Sequence, residues 1–426
     1  MSSKKYISVI IKSMKKKIVV GIGKGLDGVV SAYLLKKQGF DVHIAGINLN
    51  QVNFNLLKKD TLGNEEVKKF NLPSNCSGAD LNRLKKIGNL LGVSYSFVDR
   101  AEDFNELVVE KTACLSFAML KKIPCFSCHK IMFLALESVR LKIGADFISS
   151  GHYAKVQRNH STGVTAIVTG NDLKNDQSGL LSNVPNDIFQ RLVLPLGDLQ
   201  NREITKIAEK NNFFEFKSDQ KFVEGCFNDK SFKNFTEDYF SNSLKKDGAL
   251  IRRSDGFTLC QHKGLHQFNL GEVIPSEYSA VASGHIAVAA SGSSGKVVVS
   301  PHDDHECSSI LLKLNYLKKY RNFSFKLSGK AVLVGVEGYD SPSGDNFLDV
   351  EVFLKAGMHL RVDFITPLNC FPSPGAQVSI YEKVGEKNLI LLAAGEICFD
   401  SGMSLKKVDA EGNETQDEKS FNYVNF

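Results

Sequence analysis

A short apolar strand running straight into a glycine loop constrains this chain more than any other feature. Residues 17–20 are an apolar, β-branched run, and they lead into Gly21-Ile22-Gly23-Lys24-Gly25. Residues 29–38 then carry apolar side chains at helical spacing, Gly39 closes that stretch, and residues 42–47 form a second apolar run. Two strands joined by a helix lie side by side in parallel, because a parallel pair needs a long crossover and the helix provides it. A parallel sheet is covered on both faces, and its ligands bind beyond the carboxyl ends of its strands. Gly21 falls at such an end.

The alternation continues downstream. Residues 81–91 read as a helix, 94–98 as a strand, 131–143 as a long helix, and 146–149 as a strand ending at Gly151-His152-Tyr153. These runs predict an α/β domain with a parallel sheet over residues 17–215, preceded by a basic extension, 1–16. Residues 216–280 are charged, aromatic and glycine-punctuated, and predict a small central domain. From 281 to 404 the pattern changes to short β runs at 296–300, 330–336, 349–354, 377–381 and 389–394, separated by turn signals. That spacing predicts a C-terminal β-barrel or sandwich. Residues 405–426 are polar and charged and read as a disordered tail.

At 426 residues the chain is too long for one ordinary core. No apolar run reaches the ~20 residues of a membrane span, and no signal sequence is read at the start, so a cytoplasmic protein is expected. Nine cysteines, an odd number, argue for a reducing compartment rather than a disulfide framework. Cys114, Cys260, Cys370 and Cys398 read as small buried hydrophobes, and Cys76 has no assignable role. The net charge of +6 is compatible with RNA without being diagnostic of it. The lysines gather at Lys4, Lys5, Lys12, Lys15, Lys16 and Lys17, and again at Lys121, Lys122 and Lys130. They read equally as a solvated surface or as a binding arm.

The loop fits neither the full dinucleotide fingerprint nor the Walker pattern. Loop and helix taken together, from Gly21 to Leu35, resemble the pyrophosphate loop and first helix of the ATP-dependent tRNA 2-thiouridylases (MnmA/TrmU). Further motifs resemble that family in co-linear order. They are Pro124-Cys125-Phe126-Ser127-Cys128, Gly144-Ala145-Asp146-Phe147 with Gly151-His152-Tyr153, Asn175-Asp176-Gln177-Ser178, Pro195-Leu196-Gly197, Glu224-Gly225-Cys226-Phe227, His262-Lys263-Gly264-Leu265-His266, and Gly395-Glu396-Ile397-Cys398.

The resemblance implies an ATP pyrophosphatase-like domain, a small central domain and a C-terminal barrel. It implies that persulfide sulfur is transferred to C2 of the wobble uridine of tRNA, with ATP consumed, magnesium as its counter-ion and no permanent metal. Cys128 would be the nucleophile and Cys226 the persulfide carrier, supplied by a sulfur-relay protein. ATP would lie against Gly21, Ile22, Gly23, Lys24, Gly25, Leu26, Asp27, Gly28, Ile47 and Gly151. The tRNA would meet Pro124, Cys125, His152, Asn175, Asp176 and Gln177. A thiolate pair on mobile loops suits such chemistry, and Cys128, read as preceding the long helix, would gain from its N-terminus.

The sequence departs from the family pattern where serines of the loop are replaced by Gly23 and Gly28 and a glycine by Lys24. The basic run after the central hairpin reads Gly271-Glu272-Val273-Ile274-Pro275. A protein that binds tRNA or a sulfur carrier without ATP chemistry therefore stays open beside the enzyme. Cys125 and Cys128 also have the spacing of a metal half-site, which His129 or the stretch from His302 to Cys307 could complete. His302 and His305 otherwise read as an exposed turn.

Overall fold

The computed structural model describes residues 15–49, 54–59, 65–70, 80–120, 124–158, 165–216, 246–276, 278, 280–317, 326–334, 336, 347–355, 358–384, 388–398, 404–408, 414–417 and 424–425. Two compact units divide them. One comprises Met1–Gln51, Ser74–Asn105 and Cys125–Cys226, and the other Val52–Pro73, Glu106–Pro124 and Phe227–Phe426.

The first unit begins with β1 (Lys17–Ile22), α1 (Asp27–Lys37) and β2 (Asp41–Asn48). Phe54–Lys59 (β3) and Glu65–Phe70 (β4), next in the chain, form an antiparallel hairpin of the second unit. The first unit resumes with α2 (Leu81–Leu91) and β5 (Ser94–Asp99), followed by the single turn α3 (Ala101–Phe104). α4 (Lys111–Phe117) belongs to the second unit, and the first continues with the long helix α5 (Cys125–Ile143) and β6 (Phe147–Ser149). β7 (Ala154–Arg158) and β8 (Thr165–Thr169) make an antiparallel hairpin. α6 (Asn186–Phe189), β9 (Leu192–Val193) and α7 (Asn201–Lys210) complete the unit.

Its sheet has the order β5-β2-β1-β6-β9, every pair parallel. Ile18, Val19 and Val20 are wholly buried, as a central strand covered on both faces requires. Chain order proceeds from β1 outward through β2 to β5, then returns to the other side of β1 with β6 and β9. The topological switch therefore lies between β1 and β6, where ligands of such sheets bind. On α2 the buried Leu84, Ile87 and Leu91 share one face, Asp80 caps the first turn, and Gly92 ends the helix at φ 58°.

In the second unit β10 (Gly248–Arg252), β11 (Thr258–His262), β12 (His285–Ser291) and β13 (Lys296–Pro301) form a sheet of order β11-β10-β13-β12. Met119, just after α4, is buried in the same core as Leu250, Phe268 and Val297, and its carbonyl accepts from Leu270 N. β14 (His305–Leu317), β15 (Leu327–Val334), β16 (Leu348–Lys355), β17 (His359–Leu368), β18 (Gln377–Val384) and β19 (Asn388–Ile397) close an antiparallel barrel in the order β14-β17-β16-β15-β18-β19-β14. Closure works because β14 is long. Its first part pairs with β17 and its second with β19, and irregularities at Cys307/Ser309 and Leu314/Tyr316 bend it between them.

The α/β class with a parallel sheet and a C-terminal barrel agrees with the sequence reading. Four details differ. The run at 296–300, placed in the barrel, is β13 and pairs with β10 and β12, because turn spacing does not say which strands pair. The tail is not without structure. Ser404–Val408 (β20) pairs with β14 and with Glu414–Asp417 (β21), and Val424–Asn425 (β22) pairs with β12. His305 is buried with its ring edge-on to Phe371, and only His302 is partly exposed. Cys114 is exposed on α4, whereas Cys370 is buried and Cys260 and Cys398 are half-buried.

Candidate functional site

The loop after β1 feeds directly into α1, and two glycines set how tightly. A Cβ on Gly28 would lie 2.9 Å from the Gly21 carbonyl oxygen, and one on Gly151 would lie 2.7 Å from Asp27 and the Gly28 nitrogen. The end of β6 and the start of α1 are thus in backbone contact, and a side chain at either glycine would separate them. Gly28, where the resembled pattern has serine, is required by this packing. The first N–H groups to bond within the helix are those of Val29 and Val30, both to the Leu26 carbonyl. Leu26 at the N-cap offers no side-chain acceptor, so the donors that every helix start leaves over stay available for an anion.

Asp27 is the first residue of α1. Its Oδ1 accepts a 3.0 Å hydrogen bond from the Tyr153 hydroxyl, whose oxygen accepts in turn from Asn201 Nδ2 at 3.0 Å. Burial pushes the Asp27 carboxyl up to about 6, while the Tyr153 bond works in the opposite direction. Burial and the neighbouring Asp27 hold the Tyr153 phenol above its ordinary value. Ile22 and Ile47 are buried at the ends of β1 and β2, and Gly23, Lys24, Gly25 and Leu26 are half-buried between them.

Cys125 and Cys128 do not precede the long helix; they occupy its first turn. Spacing of apolar residues pointed to a start at 131, but Pro124 supplies a fixed φ for helix entry, and Cys-Phe-Ser-Cys continues from it. Pro124, Cys125 and Cys128 are all buried, so the first two do not stand on an open surface. His129 Nδ1 lies 2.6 Å from the Cys125 carbonyl and donates to it. The His129 ring meets the His152 ring edge-to-face at 4.8 Å, and Phe133 flanks His152 at 5.7 Å. His152 Nδ1 is 2.8 Å from Ser150 Oγ, and Ser31 Oγ on α1 donates to the Ser150 carbonyl. His152, expected to approach RNA, is buried, and desolvation lowers the pKa of both imidazoles. The segment after β6 therefore touches both helix starts: Gly151 meets α1, and His152 meets the turn of α5 that holds Cys128.

Of Asn175, Asp176 and Gln177, expected to meet the tRNA, only Asn175 is exposed, with Nδ2 on Asp172. Asp176 is buried and builds its own loop, accepting from Gly170 N at 2.7 Å, Ser178 Oγ at 2.6 Å and Ser178 N. Burial pushes its carboxyl up to about 6. Gln177 brackets the Tyr153 backbone, accepting from its N–H through Oε1 and donating its own N–H to its carbonyl. Gln177 thus holds the Tyr153 backbone, while Asp176 orders the loop on either side of itself, from Gly170 to Ser178. Cys226 and Cys76 lie outside the described residues, and no cluster suited to a metal ion occurs among those described.

Tyr153 stands in a motif that gives it no role of its own, and Asn201, Ser150 and Arg83 are not marked in the sequence at all. The Gly-His-Tyr motif was a signal for the first; no local signal marks the others, whose contacts join distant stretches.

A parallel sheet with a glycine loop and free helix donors at its switch point defines a nucleotide-loop α/β domain. A family model described as the tRNA methyl transferase HUP domain matches residues 16–230. The chain is 26% identical over 313 residues to the tRNA-specific 2-thiouridylase MnmA of Sulfurimonas denitrificans, covering 73% of this chain and 83% of that one. It is 32% identical over 258 residues to the MnmA of Thermotoga maritima, covering 60% and 68%, and 28% identical over 273 residues to the probable mitochondrial tRNA-specific 2-thiouridylase 1 of Caenorhabditis elegans, covering 62% and 68%. The chain belongs to the MnmA/TrmU family of tRNA-specific 2-thiouridylases.

Proposed function

We propose that the protein is a tRNA-uridine 2-sulfurtransferase that replaces O2 of the wobble uridine with sulfur. The observation that carries this reading is the segment Ser150-Gly151-His152-Tyr153, which bridges the anion-ready start of α1 and the turn of α5 bearing Cys128. ATP supplies activation of the uridine oxygen as a leaving group. Backbone N–H groups from Gly23 to Gly28 would hold its phosphates, Asp27 its magnesium counter-ion, and Ile47 and Gly151 the rest of the nucleotide.

Cys226, charged with a persulfide by a sulfur-relay protein, presents the terminal sulfur to C2. With O2 adenylated and pyrophosphate released, carbon–sulfur bond formation would expel the oxygen as AMP and leave the base joined to Cys226 through a disulfide. The Cys128 thiolate then attacks the Cys226 sulfur, the 2-thiouridine leaves, and a Cys128–Cys226 disulfide remains for an external thiol to reduce.

Nucleoside analysis of tRNA from a strain lacking the protein tests this. 2-Thiouridine should vanish, return with the wild type, and stay absent with Cys128→Ser or Cys226→Ser, while the exposed Cys114→Ser restores it. Unchanged 2-thiouridine in the deletion strain, with tRNA binding intact in both cysteine variants, would instead make the protein a binding module.

A further inference from the structure

Arg83 stands on the third residue of α2, and its backbone is fixed from below. Asp80 Oδ1 accepts from Asn82 N at 2.7 Å and from Arg83 N at 3.0 Å, locking the first turn of the helix. From that platform the guanidinium reaches the glycine loop. Its Nη2 donates to the Lys24 carbonyl at 2.8 Å, the Gly25 carbonyl at 3.1 Å and the Phe216 carbonyl at 3.0 Å. The group also lies 5.1 Å over the Phe216 ring. Three carbonyls converge on one nitrogen that carries two hydrogens, so at least one N–H is shared. Such convergence on a half-buried cation is a built contact rather than a solvated arginine.

Peptide geometry sets the consequence for the loop. Across a trans peptide the N–H points opposite to the C=O, and no cis peptide occurs among the described residues. With the Lys24 and Gly25 carbonyls turned toward Arg83, the N–H groups of Gly25 and Leu26 face the other way. They join the unbonded N–H groups at the start of α1. The loop lacks the hydroxyl side chains that could order it from the front, and Arg83 orders it from behind. The cation also offsets the negative ends of the peptide dipoles it gathers, and so adds a favourable field for an anion.

We propose that Arg83 is the positioning residue of the nucleotide loop, turning the 24–25 and 25–26 peptides so that their N–H groups meet the phosphates of ATP and tying that loop to Phe216. The inference rests on the ATP-dependent reading above. The chemistry it serves is recognition of a nucleoside triphosphate.

Calorimetry of the full chain with magnesium-ATP, and separately with tRNA, tests it. Arg83→Ala should weaken ATP binding about tenfold, which is about 1.4 kcal/mol, and leave tRNA affinity unchanged. Arg83→Lys keeps the charge but not the geometry and should weaken ATP about threefold. Ethylguanidinium should restore ATP binding to Arg83→Ala, and ethylammonium should not. Equal ATP affinity in wild type and Arg83→Ala, or parallel loss of ATP and tRNA binding, overturns the assignment. If Arg83→Ala does not fold, Arg83→Lys decides: an ATP affinity equal to the wild type then overturns it. A wild type that binds no ATP overturns the ATP-dependent reading itself, an outcome distinct from a wild type that binds ATP no better than its variant.

Discussion

Asp27 and Asp176 are both carboxyls pushed up to about 6 by burial, yet they serve different ends. Asp27 sits where the phosphates are expected, so its charge matters to activity. Thiolation followed as kcat/KM for magnesium-ATP should show an acid limb near pH 6, because that ratio reports the carboxyl of the free enzyme. The Tyr153 hydrogen bond favours the anion; Tyr153→Phe should move the limb upward by about half a pH unit. A rate profile unmoved by Tyr153→Phe would remove Asp27 from the titration. Asp176 is far more enclosed, and its effect is on stability. Its unfolded carboxyl ionises from about pH 4, its folded one only from about 6. Between those values the native state binds more protons, so stability falls as pH rises through the window and levels off above it. Asp176→Asn lacks that slope, and denaturant titrations from pH 4 to 7.5 should show the two proteins' stabilities converging or crossing by about 2–3 kcal/mol. The sequence named both aspartates, but it assigned Asp176 to RNA. A motif shows that a residue type recurs at a place in the chain. It does not show that the carboxylate turns inward onto Gly170 and Ser178. Arg83 was illegible for a related reason: in a helix followed by Lys85 and Lys86 it reads as one more solvated cation, and its partners are far away in the chain.

Elements whose ends are marked by local chemistry were legible to the residue. α2 reads as 81–91 and is Leu81–Leu91, because an aspartate N-cap and a left-handed glycine bracket a clean apolar stripe. α5 reads six residues short, since Cys and Ser carry little helical signal and its start is set by Pro124. The strands after Ser404 escape a sequence reading because their pairing with β14 and β12 comes from tertiary contact and not from apolar alternation. The cap on α2 also bears on function, because it anchors the arginine behind the glycine loop. Asp80→Ala should lower stability by about 1 kcal/mol and weaken ATP binding by a few-fold, both measurable on the same sample. Loss of stability with ATP affinity untouched would separate the helix start from the loop. Gly151→Ala tests the packing on the other side. Its Cβ would fall 2.7 Å from the Asp27 and Gly28 backbone, so the start of α1 must move and ATP affinity should drop at least about tenfold.

For the whole molecule, charge decides how a long polyanion is met. The chain carries a net +6, with lysines flanking the nucleotide-loop domain and the cysteine turn. Glu272, in the stretch where the resembled family carries a basic run, brings a negative charge instead and accepts from Asn269 Nδ2. The closed barrel offers few open strand edges, and Gln377 on β18 is buried with Asn315 as its partner. Phosphate contact through a modest number of lysines is therefore the expected basis of tRNA affinity. Such binding releases counter-ions, and even about three neutralised phosphates cost more than about tenfold in affinity between 50 and 200 mM salt. Filter-binding or anisotropy titrations with tRNA over that range should give a straight line of log affinity against log salt, with Lys130→Ala reducing its slope by about one contact. Affinity indifferent to salt would mean that apolar or hydrogen-bonded contacts carry the RNA, and the lysines would then belong to the solvated surface.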